Sequence, residues 1–135
     1  MLVAADVTER VIGAAMRVHR GVGPGLLESV YERLFSLELE HSGLHVERQV
    51  PVSVTWRGLL IQDAYRADLV VSGHVVVEIK AVERVLPIHR AQLWTYLQLG
   101  GYPIGLLINF HEALLKDGLY RTDRSPLSIL PLAGK

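Results

Sequence analysis

The chain predicts an α/β domain with a mixed central sheet flanked by helices. Three observations predict it. Segments of helical apolar periodicity bracket segments of period-two alternation. The runs Val75–Val82 and Ile104–Phe110 are apolar on both faces, the pattern of strands buried inside a sheet. A helical stretch lies between those two runs, the connection that parallel neighbours need, while tight turns precede Val75 and suit antiparallel hairpins.

The elements follow in order. Asp6 to Arg20 reads as a helix, with Asp6 as its cap, Glu9 as the reciprocal acid and Val11, Ile12, Ala15, Met16, Val18 and His19 as its apolar face. Gly21-Val22-Gly23-Pro24-Gly25 is a turn. A second helix runs from Leu26 to His41, with Leu27, Val30, Leu34, Leu37 and, less regularly, Phe35 inward, and Gly43 stops it. Val46 to Trp56 alternates in part and makes one or two strands, with Pro51 near an edge or a bulge. Arg57-Gly58 is a turn; Leu59–Ile61 and Tyr65–Val71 are one strand or two; Ser72-Gly73-His74 is a tight hairpin loop. Val75–Val82 is a strand. Ile88 to Leu99 is a third helix ending at Gly100-Gly101, Ile104–Phe110 is a buried strand, and Leu119–Arg121 a last short one.

The length of 135 residues fits one domain, spanning residues 1–135, since domains cluster near about 100–150 residues. Half the residues are hydrophobic and 21% are charged, which excludes a disordered chain. No apolar run reaches the about 18 residues of a membrane span. The start, MLVAADVTER, lacks the pattern of a secretory signal, so the expected location is the cytoplasm. The absence of cysteine excludes disulfides, a cysteine nucleophile and a thiolate zinc site. Fourteen basic residues balance fourteen acidic ones, so a polyanion must be held by a local patch.

The informative segment is Val75-Val76-Val77-Glu78-Ile79-Lys80. Glu78 and Lys80 are two apart on an otherwise apolar strand, so they leave the same face roughly 6–7 Å from each other. An unpaired buried charge costs several kcal/mol. Either the two pair with each other, as a surface ion pair on an edge strand would, or they face a cleft holding water and metal. Asp68 enters here. A three-residue loop at 72–74 sets Asp68 opposite Glu78, and a two-residue loop sets it opposite Val77. Directly opposed side chains have Cβ atoms about 4.5–5.5 Å apart. Two carboxylates that close need a cation between them, and Mg²⁺ prefers such oxygen ligands. Lys80 beside it would orient an attacking water and stabilise charge on a phosphate.

Two helical pairs point the same way. Gln92 and Tyr96 are four apart and share a helix face, and so do Glu28 and Tyr31, three apart. Arg17, Arg20, Arg66, Arg84 and Arg90 lie near these residues in sequence and are candidate phosphate contacts. The six histidines lack zinc-site spacing, although His89, three before Gln92, lies close to it. Gly21-x-Gly23-x-Gly25 has neither the preceding strand nor the lysine of a phosphate loop, and serves as a turn that places Glu28. Trp94 reads as core.

Gly25-x-x-Glu28-x-x-Tyr31, then Asp68, Glu78-x-Lys80 and Gln92-x-x-x-Tyr96, resembles the GxxExxY protein family of the PD-(D/E)XK nuclease superfamily. The similarity runs from about Val11 to Arg121. It implies a restriction-endonuclease-like single domain and metal-dependent hydrolysis of phosphodiester bonds in DNA, or alternatively RNA. By position it makes Asp68 and Glu78 the metal carboxylates, with Glu28 the helical acid supporting the metal. Lys80 becomes the catalytic lysine, and Gln92 and Tyr96 contacts to the site and substrate backbone. Mg²⁺ is the implied ion and Mn²⁺ its substitute, with no organic cofactor. Ala67 stands where the superfamily name has proline. The alternative is a non-catalytic nucleic-acid- or partner-binding module on the same fold, or an accessory subunit active only in a complex. So small a domain has little surface for gripping a duplex, which makes a homodimer the expected assembly.

Overall fold

The protein is described by a computed structural model over residues 4–124. Residues 1–3 and 125–135, which the one-domain reading includes, lie outside the described residues. Two helices come first, α1 (Ala4–Val22) and α2 (Glu28–His41). Three strands follow, β1 (Val46–Trp56), β2 (Leu59–Val71) and β3 (Val75–Lys80), then α3 (Pro87–Gly100). β4 (Ile104–Asn109) and β5 (Leu119–Asp123) close the order. The five strands form a sheet in the order β1-β2-β3-β4-β5. β3 and β4, joined through α3, are parallel, and the other neighbours are antiparallel. This is the mixed sheet flanked by helices expected from the sequence.

The period-two rule divides β3 between two cores. Val75, Val77 and Ile79 pack with Val11, Ala15, Tyr31, Phe35 and Leu39 of α1 and α2. Val76 packs with Leu93, Tyr96 and Leu97 of α3. Glu78 and Lys80 therefore leave β3 on the α3 face. All six residues of β4 are buried, as its apolar run requires.

The helices correct the sequence reading in three places. The helix α1 begins at Ala4, so Asp6 does not cap it and lies in its first turn instead. Alanine is the strongest helix former, which favours starting there, and Asp6 still meets the positive end of the helix. At its other end α1 continues to Val22, and Gly23 stops it with φ 70° and an N–H donated to His19 O at 2.7 Å. In α2 the expected stripe is largely exposed: Leu27 by 73%, Leu37 by 65% and Val30 by 39%. The buried face is Tyr31, Glu32, Phe35, Ser36 and Leu39. Aromatic size decides this. Tyr31 stacks on Phe110 at 4.6 Å between centroids and Phe35 meets the same ring edge-on at 5.7 Å, and rings carry more buried area than the competing aliphatics.

β1 and β2 make a long hairpin around Arg57 (φ 49°) and Gly58 (φ 80°), the two positive φ values of a type I′ turn. β1 is an edge strand, which admits Pro51, and its register with β2 shifts between Val52 and Val54. β2 pairs with β3 only over Leu69–Val71. The rest of the hairpin leaves the sheet as a two-stranded arm whose outer part exposes Trp56, Leu59, Leu60 and Ile61.

Candidate functional site

The site grows from the point where β2 and β3 separate. Val71 faces Val75, Val70 faces Val76 and Leu69 faces Val77, the register of the three-residue loop. One step further brings Asp68 level with Glu78, and there side chains replace the backbone ladder. Asp68 N–H donates to Glu78 Oε2 at 2.8 Å, and Ile79 N–H donates to Asp68 Oδ2 at 2.8 Å. Each carboxylate thus satisfies a strand N–H that has lost its partner and is itself fixed in place.

β1 supplies a residue that sequence reasoning missed. Gln49 falls between the pairs Arg48–Leu69 and Val50–Ala67, opposite Asp68, with φ 52°. A non-glycine residue in the left-handed region costs about 1 kcal/mol or more and persists only where its surroundings hold it. Its amide donates to Glu32 Oε1 at 2.8 Å and reaches Asp68 Oδ1 at 3.4 Å. Glu32 is itself buried and paired with Arg48 at 3.2 Å. Glu32, Gln49, Asp68 and Glu78 therefore form one polar chain from α2 to β3. Glu32 could have been found by its place beside Tyr31 and Phe35 on the aromatic face of α2. Gln49 left no signal in the periodicity.

The chain is short of positive charge. Burial, aided by the charge of Asp68, pushes the Glu78 carboxyl up to about 8, against the Asp68 N–H and Lys80, which pull it down. Burial also raises Asp68, and Glu32 and Glu28 add to the shift, while the Ile79 N–H opposes it. Tyr96 reaches about 12, through burial first and then through the charges of Glu78 and Asp68. Its ring lies 5.7 Å from that of Tyr65 on the arm.

Asp68, Glu78, Lys80 and Tyr96 thus come together. Gln92 is half-buried, one turn before Tyr96 on α3. Glu28 is exposed at the start of α2, with its charge felt at both acids. Its neighbour Tyr31 points elsewhere: the hydroxyl donates to Gly23 O and accepts from Leu26 N–H, pinning the glycine turn. Arg66, two residues from Asp68, donates to Gln49 O at 3.4 Å. Arg84 lies exposed in the segment after β3, and Arg90 stacks over the Tyr120 ring at 4.9 Å. Arg90 lies on the opposite flank of α3 from Gln92 and Tyr96, and Arg17 and Arg20 face other parts of the molecule. Arg17 is engaged by Glu38 at 2.6 Å and Ser42 at 2.8 Å, tying α1 to α2. Arg20 lines a separate cavity with Met16 and His19. His89 Nδ1 accepts the Leu86 N–H at 3.0 Å and closes the start of α3. Trp94 is half-buried at a cavity edge, not in the core.

Residues 5–122 match the family model of the PD-(D/E)XK nuclease superfamily. The chain belongs to the PD-(D/E)XK nuclease superfamily. The solved crystal structure of SSO0001 is similar over 95% of this chain and 72% of that one, with 20% sequence identity and a TM-score of 0.47. No curated protein matches the chain.

PD-(D/E)XK nucleases generally use divalent metals, so the donor set of this PD-(D/E)XK chain is the relevant test. Among the described residues no three His, Cys, Asp or Glu side chains gather as a ready cage. Two do, as adjacent carboxylates whose ionised forms are disfavoured by burial first and by neighbouring acidic charge second. Hard carboxylate oxygens with room left for water suit Mg²⁺, which keeps several waters and takes one or two carboxylates plus substrate phosphate. The residues fit such an ion.

Proposed function

We propose that this PD-(D/E)XK chain is a member of the GxxExxY family and hydrolyses phosphodiester bonds of DNA with Mg²⁺, for which Mn²⁺ substitutes. The observation that carries the reading is the reciprocal bonding of Asp68 and Glu78 beside Lys80 on a buried strand. The two N–H bonds account for where the acids sit, and two raised carboxylates side by side are the pattern of a functional site. Asp68 and Glu78 hold the ion, and Glu28 adds negative charge from α2. A divalent ion bound there supplies positive charge to a phosphate oxygen and to the acidity of water. The Lys80 ammonium orients the attacking water and donates to the phosphate oxygen on which charge accumulates. The water oxygen bonds to phosphorus opposite the leaving oxygen, the bond from phosphorus to that leaving oxygen breaks, the attacking water gives up its proton to solvent, and the leaving oxygen takes one from solvent. Gln92 and Tyr96 contact the substrate backbone from α3, and Arg66, Arg84 and Arg90 meet further phosphates.

A second reading is a binding module, or a subunit whose site is completed by a partner. What favours it is that each acid already satisfies a strand N–H, a structural role that needs no metal. Cleavage of end-labelled single- and double-stranded DNA and RNA with Mg²⁺ separates the two. On the nuclease reading, Lys80→Ala and Glu78→Ala abolish cleavage, and full activity in both overturns it. The remaining expectations belong to this reading. No helix among the described residues is long and apolar enough to cross a membrane, in keeping with a cytoplasmic enzyme. The apolar arm residues Trp56, Leu59, Leu60 and Ile61 are the surface that supports a homodimer.

A further inference from the structure

On the flank of α3 turned away from Gln92 and Tyr96 lies an open cavity of about 440 Å³, lined by Val85, Pro87, Arg90, Trp94, Tyr120 and Thr122. At 100° per residue, Arg90 and Trp94 share that flank, and Gln92 and Tyr96 share the opposite one. The lining carries one charge, the Arg90 guanidinium, and no carboxylate. Arg90 belongs to none of the ion pairs among the described residues. Its Cζ lies 4.9 Å from the centroid of the Tyr120 ring, a cation–π contact that uses none of its N–H donors. Trp94 and Tyr120, both half-buried, offer ring surface beside it, and Thr122 adds a hydroxyl.

An aromatic wall beside an unpaired guanidinium is what an unstacked nucleotide needs: rings for the base, a planar donor for the phosphate. A base inside a duplex has no free face to give such a wall. The cavity is also within reach of the acids. Val85 follows Lys80 by five residues, so their Cα atoms are at most about 18 Å apart, a span of a few nucleotides.

We infer that the α3–β5 cavity is a subsite for an unpaired nucleotide of the substrate DNA, so that this chain acts on single-stranded or frayed ends rather than on intact duplex. The inference rests on the nuclease reading for its substrate, but binding tests it without cleavage. Fluorescence anisotropy in EDTA compares a labelled oligodeoxythymidylate with a blunt hairpin duplex of equal length. Wild type binds the single strand more tightly. Arg90→Ala, a change at an exposed position, weakens that binding roughly tenfold and weakens duplex binding less, since there only a phosphate contact is lost. In Trp56→Phe protein, where Trp94 is the remaining tryptophan, the oligonucleotide quenches Trp94 emission. Equal binding by Arg90→Ala and wild type, a preference for the duplex, or Trp94 emission unmoved at saturation each overturns the inference. The two readings fail separately. Cleavage with no effect of Arg90→Ala removes the subsite and keeps the nuclease. Arg90-dependent binding without cleavage does the reverse.

Discussion

Glu78 Oε2 accepts the N–H of Asp68, and Asp68 Oδ2 accepts the N–H of Ile79, the residue after Glu78, both at 2.8 Å. The two acids are thus held by the strands they interrupt, and neither can turn away to relieve the repulsion between them. Glu78→Gln removes the need to bind a proton on folding and keeps an oxygen for the Asp68 N–H. The variant is expected to be more stable than wild type without metal, by about 1 kcal/mol, and to lose its stabilisation by Mg²⁺. Thermal melts with and without millimolar Mg²⁺ check both halves. A variant still stabilised as wild type is would remove Glu78 from the ion.

The raised Glu78 carboxyl gives a pH dependence with a definite sign. Its folded value, about 8, lies above the ordinary 4.5, so the folded state binds the extra proton. Between those values rising pH ionises the unfolded chain but not the folded one. Metal-free protein should therefore lose stability as pH rises from about 4.5 through about 8. Because the ion must displace that proton, stabilisation by Mg²⁺ should grow over the same window. Chemical denaturation in EDTA from pH 5 to pH 9, set against Glu78→Gln, measures it. A slope that Glu78→Gln leaves intact would assign the effect to other groups.

Gln49 separates strain from contact. Gln49→Ala keeps the strained φ of 52° and loses the amide that joins Glu32 to Asp68. Gln49→Gly loses the amide but relieves the strain. The glycine variant is expected to exceed the alanine variant in stability by about 1 kcal/mol, while both lose cleavage to a similar extent. If the alanine variant cleaves as wild type does, Gln49 is a packing residue and does not position Asp68.

Tyr31 tests whether the glycine turn depends on one hydroxyl. Tyr31→Phe keeps the stack on Phe110 but leaves Gly23 O and Leu26 N–H without that partner. A loss of about 1–3 kcal/mol is expected. A change well below that range would mean that water takes over both groups.

The sequence by itself determined the order of helices and strands and an apolar strand carrying Glu78. Apolar runs buried on both faces specify inner strands, and Ser72-Gly73-His74 leaves Asp68 two possible registers, one of them opposite Glu78. The nearest-neighbour chemistry of β3, Glu78 followed two residues on by Lys80, was legible because period two is a property of the chain. Tertiary structure decided between the loop registers, because a one-residue slip would turn the buried face of β2 to the wrong side. It decided which stripe of α2 faces inward, since only the folded chain brings Phe110 to Tyr31 and Phe35. It also brought Glu32 to Gln49 across 17 residues of chain and Gln49 to Asp68 across 19. Such contacts obey no local period; they exist only where three separate elements meet at the end of a strand ladder.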